Sequence, residues 1–424
     1  MKKLLIIFLL FISVQLSAQI NFDDYFLSRT LRFDYTRAGN SDTSFVYFEQ
    51  IKEEPFWGGS KVNLLDTFNF GDYRLMLYDS TGTKLIYSRG YSSLFHEWVD
   101  TEEAKKVSRS YYESVVMPFP KHKVILKLQN RDRKNIFYTV FEYQVNPNDY
   151  FIVKDKTDKY TVEKFYGSGE PATSLDIVVL PEGYTTQEMV KFKKDVGRFI
   201  TYFFKVTPFK ENRNKINFWM VNAPSEESGT DIPGDGVWKN TVLNTHFYTF
   251  DSERYLTTRD VKQIRDLAAY TPYDQIYILV NSNKYGGGGI YNYYNLCTSD
   301  HDDSEQVFTH EFGHAFAALA DEYHYGQDNA EEFYDMSVEP WQANITNLVD
   351  FESKWKNMVD KDTPIPTPDT EEYKNKVGAF EGAGYVKKKI FRPGHDCKMR
   401  TTQTNEFCPV CLKAVTEMLK FYSE

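Results

Sequence analysis

Two histidines four residues apart, His310 and His314, bracket Glu311 in the stretch HEFGHAFAALADEYHYG, residues 310–326. On a helix they share one face and stand about 6 Å apart along the axis. Two imidazoles so placed can reach one Zn2+ at about 2 Å each. In such H-E-x-x-H sites the intervening carboxylate takes a proton from metal-bound water and passes it to the leaving amine. The bound metal lowers the pKa of that water, and the resulting nucleophile attacks a carbonyl carbon.

A zinc enzyme of this kind needs a third protein ligand. Asp321 lies seven residues beyond His314, about 10.5 Å further along a continuous helix. Asp321, or its neighbour Glu322, can share the metal only if the helix ends near Ala318 and the chain turns back. Gly would ease such a turn, yet positions 317 and 318 are both Ala. Otherwise Asp321 or Glu322 can only orient a ligating His from outside. His324 is also near in sequence.

The elements that must position these residues can be read around them. Asp302, Asp303 or Ser304 can cap a helix start. From Glu305 to Ala320 there is no Pro and a single Gly, Gly313, while Val307, Phe308, Phe312, Phe316 and Leu319 offer an apolar side. Upstream, LDIVVLPEGY, INFWMVNA and DQIYILVNS read as strands. TTQEMVKFKKDVGRFITYFFKV and TTRDVKQIRDLAAY have helical spacing, with Thr185 or Thr186 as a cap for the first. Strands alternating with helices predict an α/β or α+β domain. YGGGGIYNYY is read as an edge strand or a flexible loop, and an edge could take an extended peptide by strand addition.

The first third differs. SFVYFEQI, YRLMLYD, KLIYSRGY, HKVILKLQ and IFYTVFEYQV are β-branched and aromatic runs separated by turn signals, which predicts an all-β sandwich. His96, Glu97 and His122 there read as ordinary surface residues. The polar stretch VKDKTDKYTVEKFYGSGEPATS reads as a linker or domain edge.

The chain has 424 residues, enough for two domains. Its net charge is −10 with mixed signs, unlike the basic stripe of a nucleic-acid binder. At the N-terminus, Lys2 and Lys3 precede the apolar run Leu4–Val14, and Leu16-Ser17-Ala18 resembles a cleavage site. The run is shorter than the roughly 20 residues that span a bilayer. Residues 1–18 are therefore expected to be a signal peptide, and the mature protein to be exported (secreted, periplasmic or cell-surface) without stable membrane insertion.

Export permits disulfides. The cysteines are Cys297, Cys397, Cys408 and Cys411. His395 with Cys397, Cys408 and Cys411 offers a structural zinc set, but an oxidising compartment favours a disulfide staple. DIPGDG, Asp231 to Gly236, has oxygens suited to Ca2+ without the full calcium-loop pattern. A di-iron bundle would want a second Glu-x-x-His helix, and none is found.

VFTHEFGHAFAALADEY resembles the H-E-F-G-H-x-x-x-x-L-x-D-E-Y signature of the IgA-peptidase-type zinc metallopeptidases, a family of the zincin clan. LDIVVLPEGYT, GGGGIYN and CKMR…FCPVC extend the resemblance over most of residues 170–424. The N-terminal β half is similar to the sandwich domain that precedes the peptidase domain in such proteins. The resemblance implies an α+β protein. A signal peptide (1–18) and a β-sandwich domain (19–158) would precede a zincin-like, metzincin-related α/β catalytic domain (159–424) with an HExxH helix. It implies His310, His314 and Asp321 as zinc ligands and Glu311 as general base, although Ala317 and Ala318 stand where the family often carries Gly. Met399 is then the candidate for a methionine turn beneath the metal. Tyr323 and the tyrosines at 291, 293 and 294 are candidates for stabilising an oxyanion.

The expected function is that of a secreted zinc-dependent endopeptidase acting on protein or peptide substrates. Two other readings are a surface glycan- or protein-binding module with an accessory zincin domain, and a peptidoglycan cross-link hydrolase.

Overall fold

The structure is a computed structural model that describes residues 20–154 and 156–424. The expected signal peptide lies outside the described residues. Among these residues no helix is long and apolar enough to cross a membrane.

The first part of the chain folds as two four-stranded sheets. One has the order Arg109–Pro120, Phe26–Gly39, Ser44–Glu54, Val153–Lys154; the other runs Leu85–Tyr91, Tyr73–Tyr78, Val124–Arg131, Phe137–Val145. Successive side chains of a strand point to opposite faces, and Val124–Arg131 shows it: Val124, Leu126, Leu128 and Asn130 are buried while the residues between them are not. Leu126 and Leu128 meet Leu75 and Leu77 of their own sheet, and Phe33, Tyr35, Val115 and Met117 of the other, in one core.

The polar stretch after residue 152 is not all connection. Its residues Thr161–Tyr166 pair antiparallel with Ile216–Asn222 and close one edge of a six-stranded sheet. Across that sheet follow Leu175–Glu182, Gln275–Val280, Tyr294–Thr298 and, at the far edge, Gly287–Ile290. The four central strands are parallel to their neighbours, and both edge strands run antiparallel. Every residue of Leu175–Glu182 and Gln275–Val280 is buried, as parallel strands covered on both faces require. The molecule is thus mixed α+β, with an N-terminal β part.

The two faces of the sheet have different cover. Ile177 and Val179 pack with Phe192, Phe199 and Phe203 of the helix Met189–Phe203, with Phe308 and Phe312, and with Val415 and Met418 of the C-terminal helix Pro409–Ser423. Val178 and Leu180, one residue out of phase, pack with Val261, Ile264 and Leu267 of the helix Val261–Ala268. That second core also takes in Leu94, Phe95 and Trp98, so the N-terminal β part docks directly on it. Charge joins the same surfaces. The buried Arg32 guanidinium donates to Asp266 Oδ1 at 2.8 Å, and Lys52 Nζ does so at 2.6 Å. Those cations outweigh burial, which alone would raise the Asp266 carboxyl, and bring it down to about 2.

The expected helices form with shorter spans. A capping box starts the first of them: Glu188 Oε2 accepts the backbone N–H of Thr185 at 2.9 Å.

Candidate active site

The helix that carries HEFGH spans Ser304–Ala317 and stops where strong helix formers still follow. Ala318 adopts φ 54°, ψ 33°, the left-handed region. Partners from distant segments hold this break. Asn344 grips the peptide of Ala320 from both sides, accepting its N–H at 2.8 Å and donating to its carbonyl at 2.9 Å. The Glu322 N–H donates to the Met399 carbonyl at 2.8 Å, and the Gly384 N–H to the Asp321 carbonyl at 2.9 Å. The left-handed conformation costs an L-residue about 1–2 kcal/mol, which these bonds offset. Ala318→Gly should therefore raise stability by about 0.5–1 kcal/mol, the relieved strain less the added freedom of the unfolded chain. Denaturant midpoints would measure it, and an unchanged or lower midpoint would contradict a strained Ala318.

The break returns Asp321 to the histidines. Asp321 Oδ1 lies 3.1 Å from His310 Nε2 and 3.3 Å from His314 Nε2, and the two Nε2 atoms are 3.1 Å apart. Tetrahedral ligands at zinc distances of about 2.0–2.1 Å are separated by edges of about 3.3 Å. Both imidazoles are aimed from behind. His310 Nδ1–H donates to the Lys398 carbonyl at 2.8 Å, and His314 Nδ1–H to the Leu319 carbonyl at 2.6 Å. This tautomer turns both Nε2 lone pairs toward Asp321, the outer hydrogen-bond pattern of metal-ligating histidine. Asp321 Oδ1 is buried and has no hydrogen-bond donor, while Oδ2 accepts from the Tyr385 hydroxyl at 2.6 Å.

The electrostatics of this trio favour a cation. Burial pushes the Asp321 carboxyl up, but the imidazoles of His314 and His310 outweigh it and hold it well below the usual carboxylate range. Burial pushes His314 down, Asp321 pushes it up, and the balance falls at about 9. A proton is the smallest cation that this acceptor cluster can hold. A divalent metal fits the same three atoms, and the N,N,O donor set suits zinc.

Glu311 sits beside the trio, half-buried, on the wall of a cleft of about 760 Å3 that also exposes His310, His314 and Asp321. Burial raises its carboxyl, against the opposing pull of the two imidazoles. A raised carboxylate is a better proton acceptor near neutral pH. Facing it is the edge strand Gly287–Ile290, so the glycine run is a strand rather than a flexible loop. Its glycines let it lie on the helix: a Cβ on Gly287 would stand 2.7 Å from Glu311 Oε1, and one on Gly289 would stand 2.3 Å from the Glu311 carbonyl oxygen. Part of the strand's outer edge is already bridged, at Gly287, by Tyr255.

Met399 is fully buried beneath the helix, and a Cβ on Gly313 would come within 2.6 Å of its sulfur. Gly in mid-helix is thus explained by the sulfur that packs there.

Other candidates fall elsewhere. His324 is exposed on the short strand His324–Gln327 and is not among the converging ligands. Tyr291, Tyr293 and Tyr294 are core residues, the last donating to the Thr258 carbonyl at 2.7 Å. Asp231 Oδ1 accepts the Lys239 N–H at 2.6 Å, and the DIPGDG segment is in neither group of converging metal-binding atoms found among the described residues. His395 pairs with Asp369 instead of joining the cysteines, and all four cysteines are free thiols rather than a staple.

Several cleft residues carried no local signal. Tyr385 reaches Asp321 from 64 residues away, and Arg254 donates to the hydroxyls of Tyr323 and Tyr325. Glu97, expected on the open surface, lines the cleft from the N-terminal part and accepts a hydrogen bond from Tyr255, its carboxyl pushed up to about 7 by burial.

Residues 164–375 and 369–419 match the family model described as IgA Peptidase M64, and residues 21–142 match the one described as Peptidase M64 N-terminus. The chain therefore belongs to the IgA peptidase M64 family, and at that level it is a metallopeptidase with protein or peptide substrates. No curated protein matches it.

Proposed function

We propose that the protein is an exported, zinc-dependent endopeptidase with Glu311 as its general base. The observation that carries this reading is the meeting of His310 Nε2, His314 Nε2 and Asp321 Oδ1 at 3.1–3.3 Å, with both Nδ1–H groups committed to backbone carbonyls. Those three atoms would hold the zinc, which when bound supplies an acidified water and polarises the scissile carbonyl. The remaining work falls to the chain. Glu311 takes the water's proton and delivers it to the leaving amine. Tyr385 fixes the carboxylate of Asp321 through its second oxygen. The edge strand Gly287–Ile290, lying along the Glu311 side of the cleft, offers backbone groups to an extended substrate.

Within this reading the zincin-like catalytic domain covers 159–424 and the β-sandwich 19–158. Export rests on the charged and apolar pattern of residues 2–18. The mature chain, beginning at Gln19, should cleave members of a proteome-derived peptide library within their sequences. A chelator should abolish cleavage and added zinc should restore it. Absence of any cleavage by zinc-loaded protein would overturn the peptidase reading in favour of a binding role.

A further inference from the structure

Immediately after Asp321, Glu322 turns the other way and enters a second, closed cluster. Its carboxylate and the sulfurs of Cys397, Cys408 and Cys411 offer four ligand atoms, all within 4.8 Å of one another. Glu322 Oε1 is 3.0 Å from Cys411 Sγ and 3.9 Å from Cys408 Sγ. Sulfurs bound to tetrahedral zinc at about 2.3 Å stand about 3.8 Å apart, so the cluster has the right size. Glu322 and Cys411 are 0% exposed, Cys397 1% and Cys408 6%. Glu322 Oε2 is buried with no hydrogen-bond partner.

We propose that Glu322, Cys397, Cys408 and Cys411 form a second metal site, a closed structural zinc site distinct from the cleft. Four protein ligands and full burial leave no open position for water or substrate, which is the mark of a structural site. Three buried thiols in one cluster, all free, argue against a disulfide. Pairing any two would leave the third unpaired beside a buried carboxylate whose Oε1 accepts from the Asn344 amide at 2.9 Å and whose Oε2 has no donor. Backbone N–H groups point at one of the sulfurs. The N–H of Cys408 donates to Cys397 Sγ at 3.2 Å, and that of Met399 at 3.5 Å. Cys408 stands at the N-cap position of the fifteen-residue C-terminal helix, without a side-chain capping bond, and Cys411 lies in its first turn, where free N–H groups favour negative charge. The ion would tie the C-terminal helix and the Cys397–Met399 segment to the irregular segment that follows the active-site helix.

The test uses the full mature chain, made with zinc supplied, exported into an oxidising compartment and purified without reductant. Metal analysis should find two zinc ions per chain. Denaturation with chelator should expose all four cysteines as titratable thiols. Asp321→Ala should lose one zinc and keep the other, and cobalt in the retained site should show thiolate-to-metal charge-transfer absorption. Two titratable thiols in place of four would establish a disulfide and overturn the site. So would a wild-type chain whose only zinc disappears in Asp321→Ala. If the single zinc instead persists in Asp321→Ala with the thiolate signature, the cysteine site stands and the cleft reading fails. Cys411→Ser should abolish the charge-transfer band. Should that variant not fold, the wild-type thiol count still decides.

Discussion

Glu311→Gln will keep its zinc and lose about 10²–10⁴-fold in kcat, the range that a positioned general base contributes. The amide matches the carboxylate in shape and cannot accept the proton. The converging ligand atoms belong to His310, His314 and Asp321, so exchange at Glu311 leaves the donor set intact. KM should change little, because the lost interaction acts on the reacting water rather than on the bound peptide. The measurement is steady-state cleavage of a single peptide by metal-quantified wild type and variant. Undiminished turnover with zinc in place would remove Glu311 from the role of base.

Asp321→Ala has the other large expected effect, and acts on the metal itself. The substitution removes one of three protein donors and leaves two imidazoles facing each other at 3.1 Å with no anion between them. Zinc affinity in the cleft should fall by more than about 10²-fold, beyond what loss of an outer hydrogen-bond partner costs. Peptide cleavage should fail at zinc concentrations that saturate the wild type. Titrating activity against free zinc reads the cleft alone, so occupancy elsewhere does not confuse it. A variant reactivated at the wild-type zinc concentration would show that Asp321 is not a ligand and that the third donor lies elsewhere.

The two histidines and the helix beneath them were legible because they obey local rules: spacing of four, an apolar side, no breaker before residue 318. Most strands were legible for the same reason, through alternation or through unbroken apolar runs such as Leu175–Glu182. The return of Asp321 was not. Ala317 and Ala318 favour helix by intrinsic propensity, and what ends the helix is Asn344, Met399 and Gly384, none of them near in sequence. Tyr385, Arg254 and Glu97 were hidden on the same ground, since folding alone brings them to the cleft. The cysteines misled for a different reason. Compartment chemistry argued for a staple, and the spacing that placed His395 beside them said nothing of Glu322, which comes from the far side of the break.

The hydrogen bond that aims His310 crosses 88 residues to Lys398. A ribosome therefore finishes both histidines, Glu311 and Asp321 well before it makes the carbonyl that orients the first of them. Contacts of such separation form late, after the intervening chain has collapsed. A growing or half-folded chain would hold the reactive groups without their alignment. Alignment of His310 is then a closing event of folding, reached only after the chain beyond residue 398 has packed behind the helix.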